Sequence, residues 1–130
     1  MKKIIFLILS LPNFGIPLQG QCFITKVEFQ IMETLEKESD IKLAFYNDEE
    51  EELKIFLWQG NLEAKASSIF NNLKLPVGGA VKFFWKLIEL DPFFNDHYGV
   101  TERLHLNTSK REVFYDKKKR WKVIVQVNCP

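Results

Sequence analysis

Histidine and cysteine are scarce in this chain: His97 and His105 are the only histidines, and Cys22 and Cys129 the only cysteines. Zinc sites need three or four converging nitrogen, sulfur or oxygen ligands. If the two cysteines pair with each other, neither is left to join the histidines. No serine stands in the turn that activates a hydrolase nucleophile, since Ser67, Ser68 and Ser109 have other neighbours. Asp96 and His97 are adjacent, and adjacent residues on a strand point to opposite faces. The sequence therefore predicts no catalytic residues, no metal centre and no cofactor, and a protein that is not an enzyme.

Long hydrophobic runs are also missing. The longest one, residues 4–11, follows Lys2 and Lys3 and is too short to span a bilayer, which takes about 20 apolar residues. Basic residues followed by a short apolar core are the layout of a secretory signal peptide. Pro12 and Pro17 interrupt any helix there. Cleavage after Gly20 is expected, leaving residues 1–20 as the signal peptide and residues 21–130 as a single domain with no transmembrane segment. A lipoprotein signal would place a small residue directly before the cysteine, whereas Gln21 precedes Cys22. The expected destination is secreted, either extracellular or periplasmic.

There is no excess of one charge either. Without Lys2 and Lys3 the chain carries 16 basic residues against 17 acidic. A nucleic-acid partner would show as a basic excess, and a membrane-surface patch as a polybasic cluster; neither is expected. Internal repeats and low-complexity linkers are absent as well, consistent with one domain.

Aromatic residues, by contrast, are plentiful: 12 Phe, 3 Trp and 3 Tyr. Such side chains bury large areas, so even a short chain can build a core from them. The two cysteines lie near the ends of the domain, and in an oxidising compartment they predict one bridge, Cys22–Cys129. Asn107-Thr108-Ser109 fits the N-glycosylation pattern, making Asn107 the expected acceptor in a secreted chain.

Period-two alternation, the mark of half-buried strands, dominates the rest. It places Phe23, Val27, Phe29 and Ile31 on one face, with Thr25 among them. Ile41, Leu43 and Phe45 form a second set, and Leu53, Ile55 and Leu57 a third, although Phe56 and Trp58 make that segment apolar on both sides. Val81, Phe83, Trp85 and Leu87 alternate with Lys82 and Lys86. Leu104 and Leu106 follow, and Trp121, Val123, Val125 and Val127 form the last set. Trp58, Trp85 and Trp121 read as core. Turn signals separate these runs at residues 47–52, Gly60-Asn61, residues 76–79, Asp91-Pro92 and residues 116–119. Only residues 63–73 approach helical spacing, and a strand plus a turn serves there equally well. About seven short strands predict an all-β fold: an antiparallel β-sandwich closed by one intramolecular disulfide. A closed barrel is the rival architecture.

The most distinctive stretch follows the aromatic run of residues 82–88. It contains Asp91-Pro92, Phe93, Phe94, Asp96 and then Tyr98-Gly99. A strand, Asp-Pro, Asp-x-x-Gly and a further strand resemble the strand and loop of C2-type sandwiches over residues 81–106. The resemblance implies loop carboxylates facing calcium at a membrane surface, and it reaches only Asp91, Asp96 and the turn residue Gly99. No second carboxylate loop matches, and calcium takes six to eight oxygen ligands, so no metal site is expected. The size, leader and strand pattern are also similar to secreted transthyretin-like proteins, whose cysteine pattern is not reproduced. Without the resemblance, Asp91, Asn95 and Asp96 read as turn formers. The aromatics Phe93, Phe94 and Tyr98 are either packed under the loop or exposed to a partner. The acidic run 48–52 and the basic run 117–120 read as solvated turns.

Together these features predict a secreted, non-enzymatic binding module that contacts a protein or lipid partner through loops, with Asp91, Phe93, Phe94, Asp96 and Tyr98 as the contact residues. The alternatives are a carrier whose cavity is lined by Phe29, Phe83, Trp85 and Val125, and a secreted inhibitor or toxin.

Overall fold

A computed structural model of the protein describes residues 21–34, 39–60, 64–90 and 96–130; side chains at 39, 40, 58–60 and 96 are not described. The expected leader, the loop residues Asp91, Phe93 and Phe94, and the turn at Asn61 lie outside these residues. So does the Trp58 side chain.

The described chain is all β, with ten strands in two antiparallel sheets packed together. Sheet I contains β1 (Gln21–Ile31), β4 (Ser67–Phe70), β5 (Leu75–Gly78), β9 (Lys110–Tyr115) and β10 (Trp121–Asn128). Sheet II contains β2 (Ser39–Asn47), β3 (Glu52–Gly60), β6 (Lys82–Glu89), β7 (Asp96–Val100) and β8 (Leu104–His105). Across sheet I the order is β9-β10-β1, after which β4 and β5 share the far side of β1. Across sheet II it is β3-β2-β6, with β7 and β8 sharing the far side of β6. The total is ten strands against about seven expected, and β4, β5 and β7 are among the short ones that the alternation does not show. Strands of four or five residues carry too few alternations to stand out from loops. Residues 67–70 form a strand, not a helix, and the Pro76-Val77 segment pairs with Phe23 and Cys22 where a break was expected. Its proline is tolerated at the sheet edge.

The two inner faces form one core. Ile41, Leu43 and Phe45 of β2 meet Phe83, Trp85 and Leu87 of β6. Across from them stand Val27, Phe29 and Ile31 of β1 and Trp121, Val123, Val125 and Val127 of β10. Aromatic rings fill the space between: Phe45 lies 4.6 Å from Trp85 and 5.4 Å from Phe83, and Phe56 lies 4.4 Å from Phe70. Offset and tilted pairs at such distances add stabilisation beyond area burial.

Two local irregularities change which residues face inward. In β1 the alternation breaks between Ile24 and Val27, because Gln126 pairs with Lys26 while Val127 pairs with Ile24. Thr25 is the extra residue of a β-bulge, which reverses the phase of the strand. Cys22 and Ile24 therefore point inward, and Phe23 is only half-buried. In β3 the inward residue is Phe56, not the set Leu53, Ile55 and Leu57, which is exposed. Pairing of Phe56 with Leu43 puts the larger ring inside, where it also meets Trp85 at 6.1 Å. Val81, expected in a strand, precedes β6 and is exposed.

The disulfide Cys22–Cys129 closes 107 residues of chain, with its cysteines' Cα atoms 4.2 Å apart. It joins β1 to the residue just beyond β10. On another side, the end of β7 and the residue after it link the two sheets. Thr101 bridges Asp116, the Lys117 N–H donates to the Val100 carbonyl at 3.2 Å, and the Thr101 N–H donates to the Trp85 carbonyl at 2.9 Å.

Candidate functional site

The expected loop site is described only at its far end. Asp96 begins β7, paired with Glu89. Tyr98 is half-buried and packs against the core. Its carbonyl accepts hydrogen bonds from the Trp121 indole Nε1 at 2.9 Å and from the Arg120 guanidinium. Arg120 in turn donates from Nε to Asp116 at 3.3 Å, and Asp116 is buried. Gly99 sits between them at φ +114°, where a Cβ would collide with the Asp116 carboxylate. Asp116, Arg120, Trp121 and the Tyr98 backbone thus form a structural clasp, and the half-buried Tyr98 side chain packs against the core.

The two charge runs also have structural partners. Asn47 turns β2 into β3 by accepting the Glu49 and Glu51 N–H groups on its side-chain oxygen at 3.0 and 2.9 Å. Asp48 accepts a charged hydrogen bond from Arg103 at 2.8 Å, and Arg103 lies 4.0 Å over the Phe84 ring. Tyr46 also stacks on Phe84, with ring centroids 5.1 Å apart, and donates to Glu52 at 3.1 Å. Burial first, then the Glu52 acceptor and the negative charges of Glu52 and Glu50, push the Tyr46 phenol up to about 12. Asp116 and Lys119 make the β9–β10 turn, with Lys119 at φ 57°. Among the described residues, no group of three His, Cys, Asp or Glu side chains is placed to hold a metal ion. No helix among them is long and apolar enough to cross a membrane.

A different surface stands out. Beside the Thr25 bulge, on the outer side of sheet I, lies an open groove between β1, β10 and the β4–β5 turn. Its floor carries the amides of Gln126 and Asn128 and the Thr25 hydroxyl. The Asn128 side chain donates to Thr25 at 3.2 Å, and Gln126 donates to Asn128 at 3.3 Å. The turn contributes Asn71, Asn72 and Lys74 as a wall. It is shaped by Asn72 at φ 58° and by the Leu73 N–H donating to the Thr25 carbonyl at 3.0 Å. Asparagine tolerates the left-handed conformation better than most residues. Lys74 caps the half-buried Phe23 ring at 5.3 Å. Among the described residues, no carboxylate lines this groove. A second, smaller depression adjoins it, sharing Lys26 and Gln126 and adding Arg111 and Glu28.

No family model matches the chain, and no curated protein matches it. The bulge explains the groove: the extra residue leaves Thr25 unpaired on one side, so the β4–β5 turn departs there and exposes the amide side chains. Bulges recur beside functional sites for this reason.

None of these groove residues stands out in the sequence. Asn71-Asn72 is the one local signal, a polar pair between apolar segments. Lys26, Lys74, Arg111 and Gln126 are far apart in the chain and are brought together only by strand register. Asn107, the expected acceptor, lies exposed between β8 and β9. Two residues on, the Ser109 hydroxyl accepts the Cys129 N–H at 2.7 Å, so the sequon sits beside the disulfide.

Proposed function

We propose that the protein is a secreted, non-enzymatic binding module whose partner lies across the outer face of sheet I, in the groove beside Thr25. The carrying observation is the groove itself: hydrogen-bonded amides and a hydroxyl, two lysines and, among the described residues, no carboxylate. Preformed concave sites with a few fixed polar groups are where ligands bind, and here the polar groups already hold one another in place. The Cys22–Cys129 bridge and the leader-like residues 1–20 support secretion. Asn107, exposed near that bridge, is the proposed glycosylation acceptor.

The test is amide NMR of the mature protein titrated with a panel of neutral and charged oligosaccharides, peptides and lipid vesicles. Perturbations centred on Thr25, Lys26, Asn72 and Asn128 are the expected result. Perturbations confined to residues 91–99 would move the working surface to the loop that resembles C2-type sandwiches. Glycosylation is read from the intact mass before and after enzymatic deglycosylation of protein secreted by eukaryotic cells.

A further inference from the structure

Several cations of this chain are already neutralised. Lys42 holds Glu52 at 3.2 Å, Lys110 holds Glu112 at 3.0 Å, Arg103 holds Asp48 at 2.8 Å and Arg120 holds Asp116 at 3.3 Å. Lys26, Lys74 and Arg111 take part in no ion pair among the described residues. They also lie in a line. Lys26 of β1 and Arg111 of β9 are both cross-strand neighbours of Gln126 on β10. Lys74 stands on the other side of β1, over Phe23. The row runs across the strands, through the groove and into the adjoining depression, with Gln126 between Lys26 and Arg111. Among the described residues, Glu28, one row away, is the single carboxylate of that depression and forms no ion pair.

Resting on the groove as the binding surface, we infer that its ligand is an anionic polysaccharide. Its sulfate or carboxylate groups meet Lys74, Lys26 and Arg111, and its hydroxyls meet the amides of Asn72, Gln126 and Asn128. Neighbouring strands are about 4.8 Å apart, so Lys26 and Arg111 are separated by about 10 Å and Lys74 lies beyond. One small anion does not reach all three; a chain with repeated anions does. The groups between the cations are hydrogen-bonding amides that suit sugar hydroxyls. Single-stranded nucleic acid stacks its bases on open aromatic rings, and the Phe23 ring is capped by Lys74. Interfacial membrane binding buries apolar side chains beside its cations, and in this row amides take that place.

The experiment measures the affinity of the mature, oxidised protein for a heparin oligosaccharide by titration calorimetry at physiological salt. It compares wild type with Lys26→Gln/Lys74→Gln/Arg111→Gln and with the control Lys117→Gln/Lys118→Gln in the exposed hairpin. Exposed charge pairs contribute two- to threefold each, so the triple variant is expected to lose about tenfold. The control is expected to bind as wild type does, and wild-type affinity to fall with added salt. No wild-type binding, or equal loss in both variants, overturns the inference. Binding to anionic phospholipid vesicles without binding to the polysaccharide overturns it in favour of a membrane. If a neutral oligosaccharide or a peptide perturbs the groove amides while the sulfated one does not, the anionic class fails and the groove stands. If nothing perturbs them, both fail. Unchanged melting temperatures of the variants show that the effect is not unfolding.

Discussion

Tyr46 shows how one side chain couples fold and pH. Its hydroxyl donates to Glu52 while its ring stacks on Phe84, and its pKa is raised from 10.0 to about 12. A phenol with a higher pKa in the folded than in the unfolded chain favours folding in its protonated form. That contribution is complete below pH 10 and is lost as pH rises through about 12. In Tyr46→Phe this alkaline component is expected to vanish, read as a flatter dependence of unfolding free energy on pH over that window. In Glu52→Gln the phenolate absorbance of Tyr46 is expected to appear at lower pH. Gly99 is the second decisive residue. Its φ of +114° disfavours any side chain, and a Cβ there meets the Asp116 carboxylate. Gly99→Ala is expected to cost about 2–4 kcal/mol in chemical denaturation, because the clasp of Asp116, Arg120 and Tyr98 must open to admit the methyl group.

At the level of elements, the bulge in β1 matters most. One extra residue, Thr25, lets Val27, Phe29 and Ile31 share the core with Cys22 and Ile24, although the two sets have opposite parity. Deleting Thr25 without other change places Ile24 two and Cys22 four residues before Val27 on a regular ladder, so both are expected to stay inward and the bond to Cys129 to form. Free-thiol titration of the oxidised, purified protein reads this directly; free thiols in the deletion variant would contradict it. The edge strand β3 behaves differently. Its outward residues Leu53, Ile55 and Leu57 are exposed, Leu57 by 63 %. Leu57→Lys is therefore expected to leave stability within about 0.5 kcal/mol of wild type, whereas Phe56→Ala, which removes a ring packed on Phe70 and Trp85, is expected to cost about 3–5 kcal/mol.

For the molecule as a whole, the disulfide ties the first described strand to the end of the last. A closed loop of 107 residues corresponds, in the chain-entropy account, to about 4–5 kcal/mol. The double variant Cys22→Ala/Cys129→Ala is expected to lose about that much, or somewhat less, in denaturant unfolding with unchanged sheet content by circular dichroism. Charge is also organised on this scale. The near-neutral total hides a cation row on the outer side of sheet I and an acidic turn at residues 48–52 that is partly neutralised by Arg103.

Most of the architecture was legible in the sequence. The alternation at residues 41–45 and 121–127, the turns at 47–52 and 116–119 and the two terminal cysteines are local patterns, and local patterns survive in any correctly paired sheet. They determined an all-β, antiparallel sandwich with one disulfide. Parity within β1 and the choice between Phe56 and its exposed neighbours were not legible, because a bulge or an edge strand is set by what pairs across from it. The same holds for the site. Lys26, Lys74, Arg111 and Gln126 carry no local signal and become a row only through the register β9-β10-β1 and the β4–β5 turn. The clasp in which the Tyr98 carbonyl accepts from Arg120 and Trp121 likewise carries no local signal. Composition and alternation fixed how much of the chain is buried and in what kind of layer; only long-range pairing decided which polar groups share a surface, because that depends on residues that are neighbours in space and distant along the chain.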